Sequence, residues 1–167
     1  MKIEGNLFIP TKKKYVRRKK KEGECILCSV ASKDPKVHNL EIYRDELFFV
    51  TANLYPYNPG HIMIVPIRHI VDIRELNKKE ILGLAKIQNI SLNILEKVYR
   101  PSGFNIGFNI GKYSGASISH LHLHIVPRFI NELGFVEIVS GSRIIIEDPY
   151  KMVRNLRRFY KREKTLD

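Results

Sequence analysis

The segment His120-Leu121-His122-Leu123-His124-Ile125 constrains this chain more than any other stretch. Polar and apolar residues alternate with a period of two, the side-chain period of a β-strand and not of a helix. The expectation is a strand over His120 to Val126, closed by Pro127, with three imidazoles on one face and Leu121, Leu123 and Ile125 turned to the core. Packing is a poor explanation for three histidines on one face. A buried polar group without a partner costs about 1–3 kcal/mol, so a purely structural triplet would need three separate partners.

Two chemistries use such a cluster. Three imidazoles can hold a catalytic zinc with one open position. Alternatively, one imidazole attacks an electrophile while its neighbours stabilise the charge that develops. The preceding Gly115-Ala116-Ser117-Ile118-Ser119 offers backbone N–H groups and hydroxyls to anionic oxygens, which favours the second reading. His61, after Pro59-Gly60, supplies a fourth imidazole at the start of another strand.

Around this segment the pattern reads as α+β. Glu46 to Thr51 (ELFFVT) and His61 to Val65 (HIMIV) read as strands, separated by a turn containing Pro56, Pro59 and Gly60. A helix is expected from Lys78 to Tyr99. Asn77 and Glu80 are spaced as a capping box, Leu84, Ile87, Ile94, Leu95 and Val98 share one face, and Pro101 and Gly103 end it. Phe104 to Ile110 reads as a strand, Arg143 to Glu147 as a further one, and Tyr150 to Tyr160 as a basic helix with Val153 and Leu156 inward. Strands and helices do not alternate regularly, so an antiparallel sheet of about five strands is expected, not repeated βαβ units.

Length supports one domain, placed at 24–148, with a basic arm at 1–23 and a basic helix or tail at 149–167. The formal charge of +12 attracts polyanions, although blocks such as Arg17 to Lys21 are also ordinary solvated tails. Aromatics in the arms (Tyr15, Phe159, Tyr160) keep open a binding module for nucleotides or nucleic acid, which would not need the triad. No apolar run approaches the roughly 20 residues of a membrane span and no secretory signal is evident, so a cytoplasmic location without membrane partners is expected.

Cys25 and Cys28, the only cysteines, exclude a disulfide framework and have the spacing of a zinc knuckle or redox pair. A redox pair is expected between a strand and a helix, and the basic block before them offers no strand. Two more ligands would close a tetrahedral zinc site, and His38 is near in sequence.

Ser119 to Arg128, together with Cys25-Ile26-Leu27-Cys28, Asn53 to His61 and Val65-Pro66-Ile67-Arg68-His69, resembles the histidine-triad superfamily, in the branch of diadenosine tetraphosphate phosphorylases and fragile-histidine-triad hydrolases. The resemblance implies a nucleotide hydrolase or nucleotidyltransferase that cleaves dinucleoside polyphosphates or other adenine nucleotides at the α-phosphate. His122 would form a nucleotidyl intermediate, with His124 and His61 on the non-bridging oxygens and Ser117 on the leaving group. Asn109 would bind phosphate or ribose, Gly115 and Ala116 would line the phosphate site, and Asn53 and Leu54 the nucleoside pocket. No metal is needed for that chemistry. The resemblance further implies a structural zinc on Cys25, Cys28, His69 and His120, and a homodimer joined through the long helix and a strand edge. Other branches remove AMP from amines, proteins or DNA ends, and the basic arms leave a nucleic-acid substrate open. Phe129 replaces the tryptophan usual in phosphorylase members, so the acceptor, water or phosphate, is left undecided; His124 departs from the glutamine of uridylyltransferases.

Overall fold

A computed structural model describes residues 25–111, 113–130, 132 and 147–163. The elements in chain order are α1 (Ile26–Ala31), β1 (Glu41–Arg44), β2 (Phe48–Ala52), β3 (Ile62–Pro66), a 3-10 turn (Ile73–Glu75), α2 (Lys78–Tyr99), β4 (Gly103–Phe108), β5 (Leu123–Arg128) and α3 (Pro149–Glu163). Among the described residues the strands form one five-stranded sheet, ordered β1-β2-β3-β5-β4, with every neighbouring pair antiparallel. The expected basic arm and residues 143–146 of the expected further strand lie outside the described residues.

Both faces of the central strands are covered, so β2 and β3 are buried throughout. On one face Val50, Ala52, Ile62, Ile64, Leu123 and Ile125 pack with Ile87, Ile94 and Leu95 of α2. On the other, Phe49, Met63 and Val65 pack with Leu27 and Val30 of α1. The alternation explains the split, because neighbours along a strand point to opposite faces.

Helix α2 begins and ends as its sequence requires. The Asn77 side chain accepts from Glu80 N while the Glu80 carboxylate accepts from Asn77 N, a reciprocal capping box. Helix α3 starts on Asp148, whose carboxylate accepts from Tyr150 N and Lys151 N at 2.8 and 2.9 Å. Its apolar stripe, Met152, Val153, Leu156 and Tyr160, is buried in the main core, while Arg154, Arg158, Lys161 and Arg162 face outward. The helix lies against β1, β2 and α2. The Tyr160 hydroxyl donates to Ser91 Oγ at 2.7 Å, and Ser91 Oγ donates to Ile87 O at 2.6 Å. No helix among the described residues is long and apolar enough to cross a membrane.

Three differences from the sequence reading bear on the site. Helix α1 and strand β1 carry no strong periodicity in the sequence; both are short, and β1 carries a register shift between Glu41 and Tyr43. Strand β5 begins at Leu123, so His120 and His122 precede it and do not continue its ladder. The cause is a hydrogen bond from Leu121 N to Ile70 O at 2.6 Å, which ties this stretch to the chain following β3. The three imidazoles nonetheless lie on the side of the sheet covered by α1, with His120 beside Cys25 and Cys28 and with His122 and His124 lining a cavity bordered by Leu27 and Val30. Leu121, Leu123 and Ile125 do enter the core, as the alternation requires.

Because α3 completes the core, Leu156→Ala should cost about 2–5 kcal/mol in urea denaturation. Tyr160→Phe should cost about 1 kcal/mol, since Ser91 keeps its bond to Ile87. A loss under about 0.5 kcal/mol for Leu156→Ala would mean that α3 is not part of the cooperative unit.

Candidate active site

The turn Asn58-Pro59-Gly60 delivers His61 to the sheet. Asn58 Nδ2 donates to Pro127 O at 2.6 Å and to Glu132 Oε1 at 2.9 Å. Gly60 has φ +76° and sits where a Cβ would lie 3.0 Å from both Pro127 Cγ and Tyr99 Cδ2, so a side chain there would be strained and would crowd both neighbours. Its N–H donates to Glu147 Oε2 at 3.0 Å, and the Tyr99 hydroxyl donates to Glu147 Oε1 at 2.7 Å. The carboxylate thus clamps the turn to α2.

His61 is fully buried. Its Nδ1 accepts from Tyr57 N at 3.0 Å, which puts the ring proton on Nε2. Nε2 lies 3.0 Å from His124 Nδ1 and 3.4 Å from Asn53 Nδ2. His61 therefore donates to His124 Nδ1, and His124 carries its own proton on Nε2. Burial, followed by the charges of His124 and His122, lowers His61 to about 3; burial, then His122, lowers His124 to about 4. Both are neutral at pH 7, and the chain of donors has one direction.

His122 Nδ1 donates to the carbonyl of His120 at 2.6 Å, leaving the Nε2 lone pair unprotonated. Its ring meets that of His124 at 4.8 Å, edge to face. Both line a cavity of about 640 Å³ that also includes Asn53, Leu54, Asn109, Gly115, Ala116 and Ser117. The structure thus gathers the residues singled out from the sequence, with His61 one layer behind. Sequence reasoning missed the apolar wall of this cavity, Leu27 and Val30 of α1 and Leu40 before β1, because those elements carry no strong periodicity. It also missed Tyr57, whose ring stacks on His61 at 4.9 Å. A tyrosine four residues before a buried histidine, inside a proline-rich turn, was the available signal.

A second cluster lies on the other side of the triad. Ligand atoms of Cys25, Cys28, His69 and His120 all fall within 4.8 Å of one another. His120 Nε2 donates to Pro66 O at 2.9 Å, which leaves the Nδ1 lone pair toward Cys25 Sγ at 3.4 Å and Cys28 Sγ at 3.5 Å. His69 Nδ1 is 3.2 Å from Cys28 Sγ. Tetrahedral zinc with Cys₂His₂ ligation has ligand–ligand edges of roughly 3.3–3.8 Å, so the donor set fits that ion. Burial and the adjacent Cys25 push the Cys28 thiol up to about 11, and a cation beside it would reverse that. His38, the competing candidate, is elsewhere: its Nδ1 is hydrogen-bonded to the Tyr150 hydroxyl at 2.8 Å.

The buried imidazoles make stability depend on pH. In the unfolded chain they take up protons near the ordinary value of 6.5, while folded His61 and His124 resist until about 3 and 4. The unfolded state binds more protons in this window, so stability present above 6.5 is lost as pH falls toward those values. The urea midpoint should drop steadily from pH 7 to 4.5, and His61→Gln should show a shallower drop. A midpoint independent of pH over this range would contradict neutral burial.

Residues 24–134 match the family described as "Scavenger mRNA decapping enzyme C-term binding". The chain is 39% identical over 107 residues to the AP-4-A phosphorylase of Mycobacterium tuberculosis, covering 64% of this chain and 55% of that protein. It is 34% identical over 86 residues to the asymmetrical bis(5'-nucleosyl)-tetraphosphatase of Schizosaccharomyces pombe, covering 52% and 47%. The chain thus spans about half the length of these curated relatives. Among solved structures, a zinc-bound histidine triad family protein from Mycobacterium smegmatis superposes with a TM-score of 0.70 at 26% identity, covering 86% of this chain and 98% of that one. The matched segment and the shared fold lead to one conclusion: the chain belongs to the family described as "Scavenger mRNA decapping enzyme C-term binding", in the histidine-triad superfamily and near its diadenosine tetraphosphate branch.

Proposed function

We propose that this chain is a nucleotide-phosphate hydrolase or transferase, acting on dinucleoside polyphosphates or related nucleotides through a nucleotidyl-His122 intermediate. The observation that carries this reading is the bond from His122 Nδ1 to the His120 carbonyl, which leaves Nε2 as a lone-pair donor on a ring lining the cavity. The names of the relatives, AP-4-A phosphorylase and bis(5'-nucleosyl)-tetraphosphatase, support the substrate class.

In the first step His122 Nε2 forms a bond to the α-phosphorus. The bond to the bridging oxygen breaks, its electron pair departs with that oxygen, and a nucleoside polyphosphate leaves. Charge growing on the non-bridging oxygens is met by His124 Nε2–H. His61 acts through His124, because its own Nε2–H is already committed there. The Tyr57 N–H, His61 and His124 form one relay that fixes the donor before substrate arrives. In the second step the oxygen of water or inorganic phosphate bonds to phosphorus, and the N–P electron pair returns to Nε2. Water yields a nucleoside monophosphate and sheds its proton to solvent; phosphate yields a nucleoside diphosphate. Ser117 serves the leaving oxygen, Asn109, Gly115 and Ala116 the phosphate, and Asn53 and Leu54 the nucleoside. A homodimer is part of this reading, supported by the sheet edge at β4 and the exposed Ile81 and Leu82 of α2.

We assign the four-ligand cluster to a structural zinc that ties α1 and His69 to His120. Its contribution is architectural: holding His120 also holds the carbonyl that sets the His122 tautomer.

His122→Ala should keep the parent's circular dichroism and lose diadenosine tetraphosphate cleavage by at least about a thousandfold. Turnover within about tenfold of the parent would sink the nucleophile assignment. Protein purified without chelator should contain about one zinc per chain, and Cys28→Ser should lose the metal and melt at lower temperature. Parent protein containing only a trace of zinc would contradict the metal assignment.

A further inference from the structure

Helix α3 carries its charge in a pattern that its own stability does not require. Met152, Val153, Leu156 and Tyr160 form the buried stripe. At about 100° per residue, Lys151, Arg154, Arg158, Lys161 and Arg162 fall within an arc of about 100° opposite that stripe. All five are exposed. Along the helix axis they span about 16 Å. At the edge of the arc Arg157 donates from Nε and Nη2 to Glu41 O at 2.9 and 2.6 Å, a carbonyl partner that leaves the positive charge in place.

A solvated helix face gains by mixing the two signs, because like charges three or four residues apart repel. Here Arg158 stands four residues from both Arg154 and Arg162, and Lys151 stands three from Arg154. Acidic neighbours do not relieve the row. Among the described residues Lys151, Arg154, Arg158 and Arg162 enter no ion pair, and Glu163 is taken by Lys97 at 2.7 Å. The helix dipole favours Lys161 and Arg162 in the last turn, but it disfavours Lys151 and Arg154 near the first. An external polyanion would remove this repulsion along the whole row.

Among polyanions the face selects a duplex. A membrane holds an amphipathic helix by its apolar side, and that side of α3 is buried in the core. Single strands are held by aromatic rings on which bases stack, and the arc contains none. A duplex needs only cations: it carries about one charge per 1.7 Å of axis, so a row of about 16 Å faces about ten phosphates. Three of the five cations are guanidinium groups, which present paired donors to phosphate oxygens. The five side chains are donors alone, with no acceptor for a 2′-hydroxyl, which favours DNA over RNA.

We propose that the outer face of α3 is a docking surface for the sugar-phosphate backbone of double-stranded DNA, bound without regard to sequence. The buried stripe of α3 packs with α2 on one face of the sheet, while His122 and His124 line the cavity bordered by α1 on the other. DNA on α3 therefore leaves that cavity open, and the surface tethers the chain to DNA without supplying its substrate.

The test measures binding of the full chain to a mixed-sequence DNA duplex of about 20 base pairs by fluorescence anisotropy, between about 50 and 200 mM salt. The triple variant Arg154→Glu, Arg158→Glu, Arg162→Glu should bind at least about tenfold more weakly than the parent at about 100 mM salt, and its slope of log K against log salt should be shallower by about 3. Lys78→Glu, Lys79→Glu, Lys86→Glu makes the same change of net charge on α2 and should lose less than about threefold. Circular dichroism reports whether each variant is folded. If the glutamate variant of α3 does not fold, the triple glutamine variant at the same positions takes its place, with an expected loss of at least about fivefold. A folded α3 variant binding within about threefold of the parent would overturn the proposal, as would an equal loss in the α2 variant. So would a parent that does not bind the duplex at about 50 mM salt, that binds duplex RNA more tightly, or that stays on phosphatidylserine vesicles in excess duplex DNA.

Discussion

The hydrogen bond between His61 Nε2 and His124 Nδ1, 3.0 Å long, joins the two halves of the site. One partner comes from the turn between β2 and β3, the other from the start of β5. The β3–β5 pairing brings them together: Ile62 faces Ile125 and Met63 faces His124 in the ladder. The turn is held by Asn58 on Pro127 and by Glu147 on Gly60, so the bond rests on fixed backbone at both ends. Burial lowers both imidazoles well below their ordinary range, and neutrality is what allows one ring to donate while the other accepts. A protonated His124 would lose the acceptor that the relay requires.

His120 supplies the second constraint. Its ring faces Cys25 and Cys28, while its carbonyl accepts from His122 Nδ1. One residue thus belongs to the candidate metal-ligand cluster through its side chain and to the candidate active site through its backbone. A shift of His120 would loosen the bond that sets which nitrogen of His122 carries the proton. This coupling is why a cluster on the far side of the triad bears on chemistry in the cavity.

Much of this was legible in the sequence, and the exceptions share a cause. The capping residues Asn77 and Glu80, the apolar face of α2 and the inward Val153 and Leu156 of α3 follow from local spacing. The residues gathered at the cavity were also marked, because imidazoles, amides and glycines cluster in two short segments. What the spacing could not reveal depends on bonds between distant segments. The alternation of the triad suggested one strand, yet Leu121 N is taken by Ile70 O, and β5 starts only at Leu123. His38 is nearer to the cysteines in sequence than His69, but the chain after β3 returns past α1 and His38 pairs with Tyr150. The part of His61 was likewise hidden: reading it as a direct phosphate ligand ignored that Tyr57 N and His124 occupy both of its nitrogens.

The central claim is that His122 Nε2 becomes covalently bonded to phosphorus. It is tested most directly by mixing the parent chain with diadenosine tetraphosphate, quenching in alkali within the first turnover, and mapping peptides by mass spectrometry. The account predicts one added nucleoside monophosphate on the peptide containing His122, located on that residue by fragmentation. An adduct on another residue, or none in a chain that is turning over substrate, would contradict it.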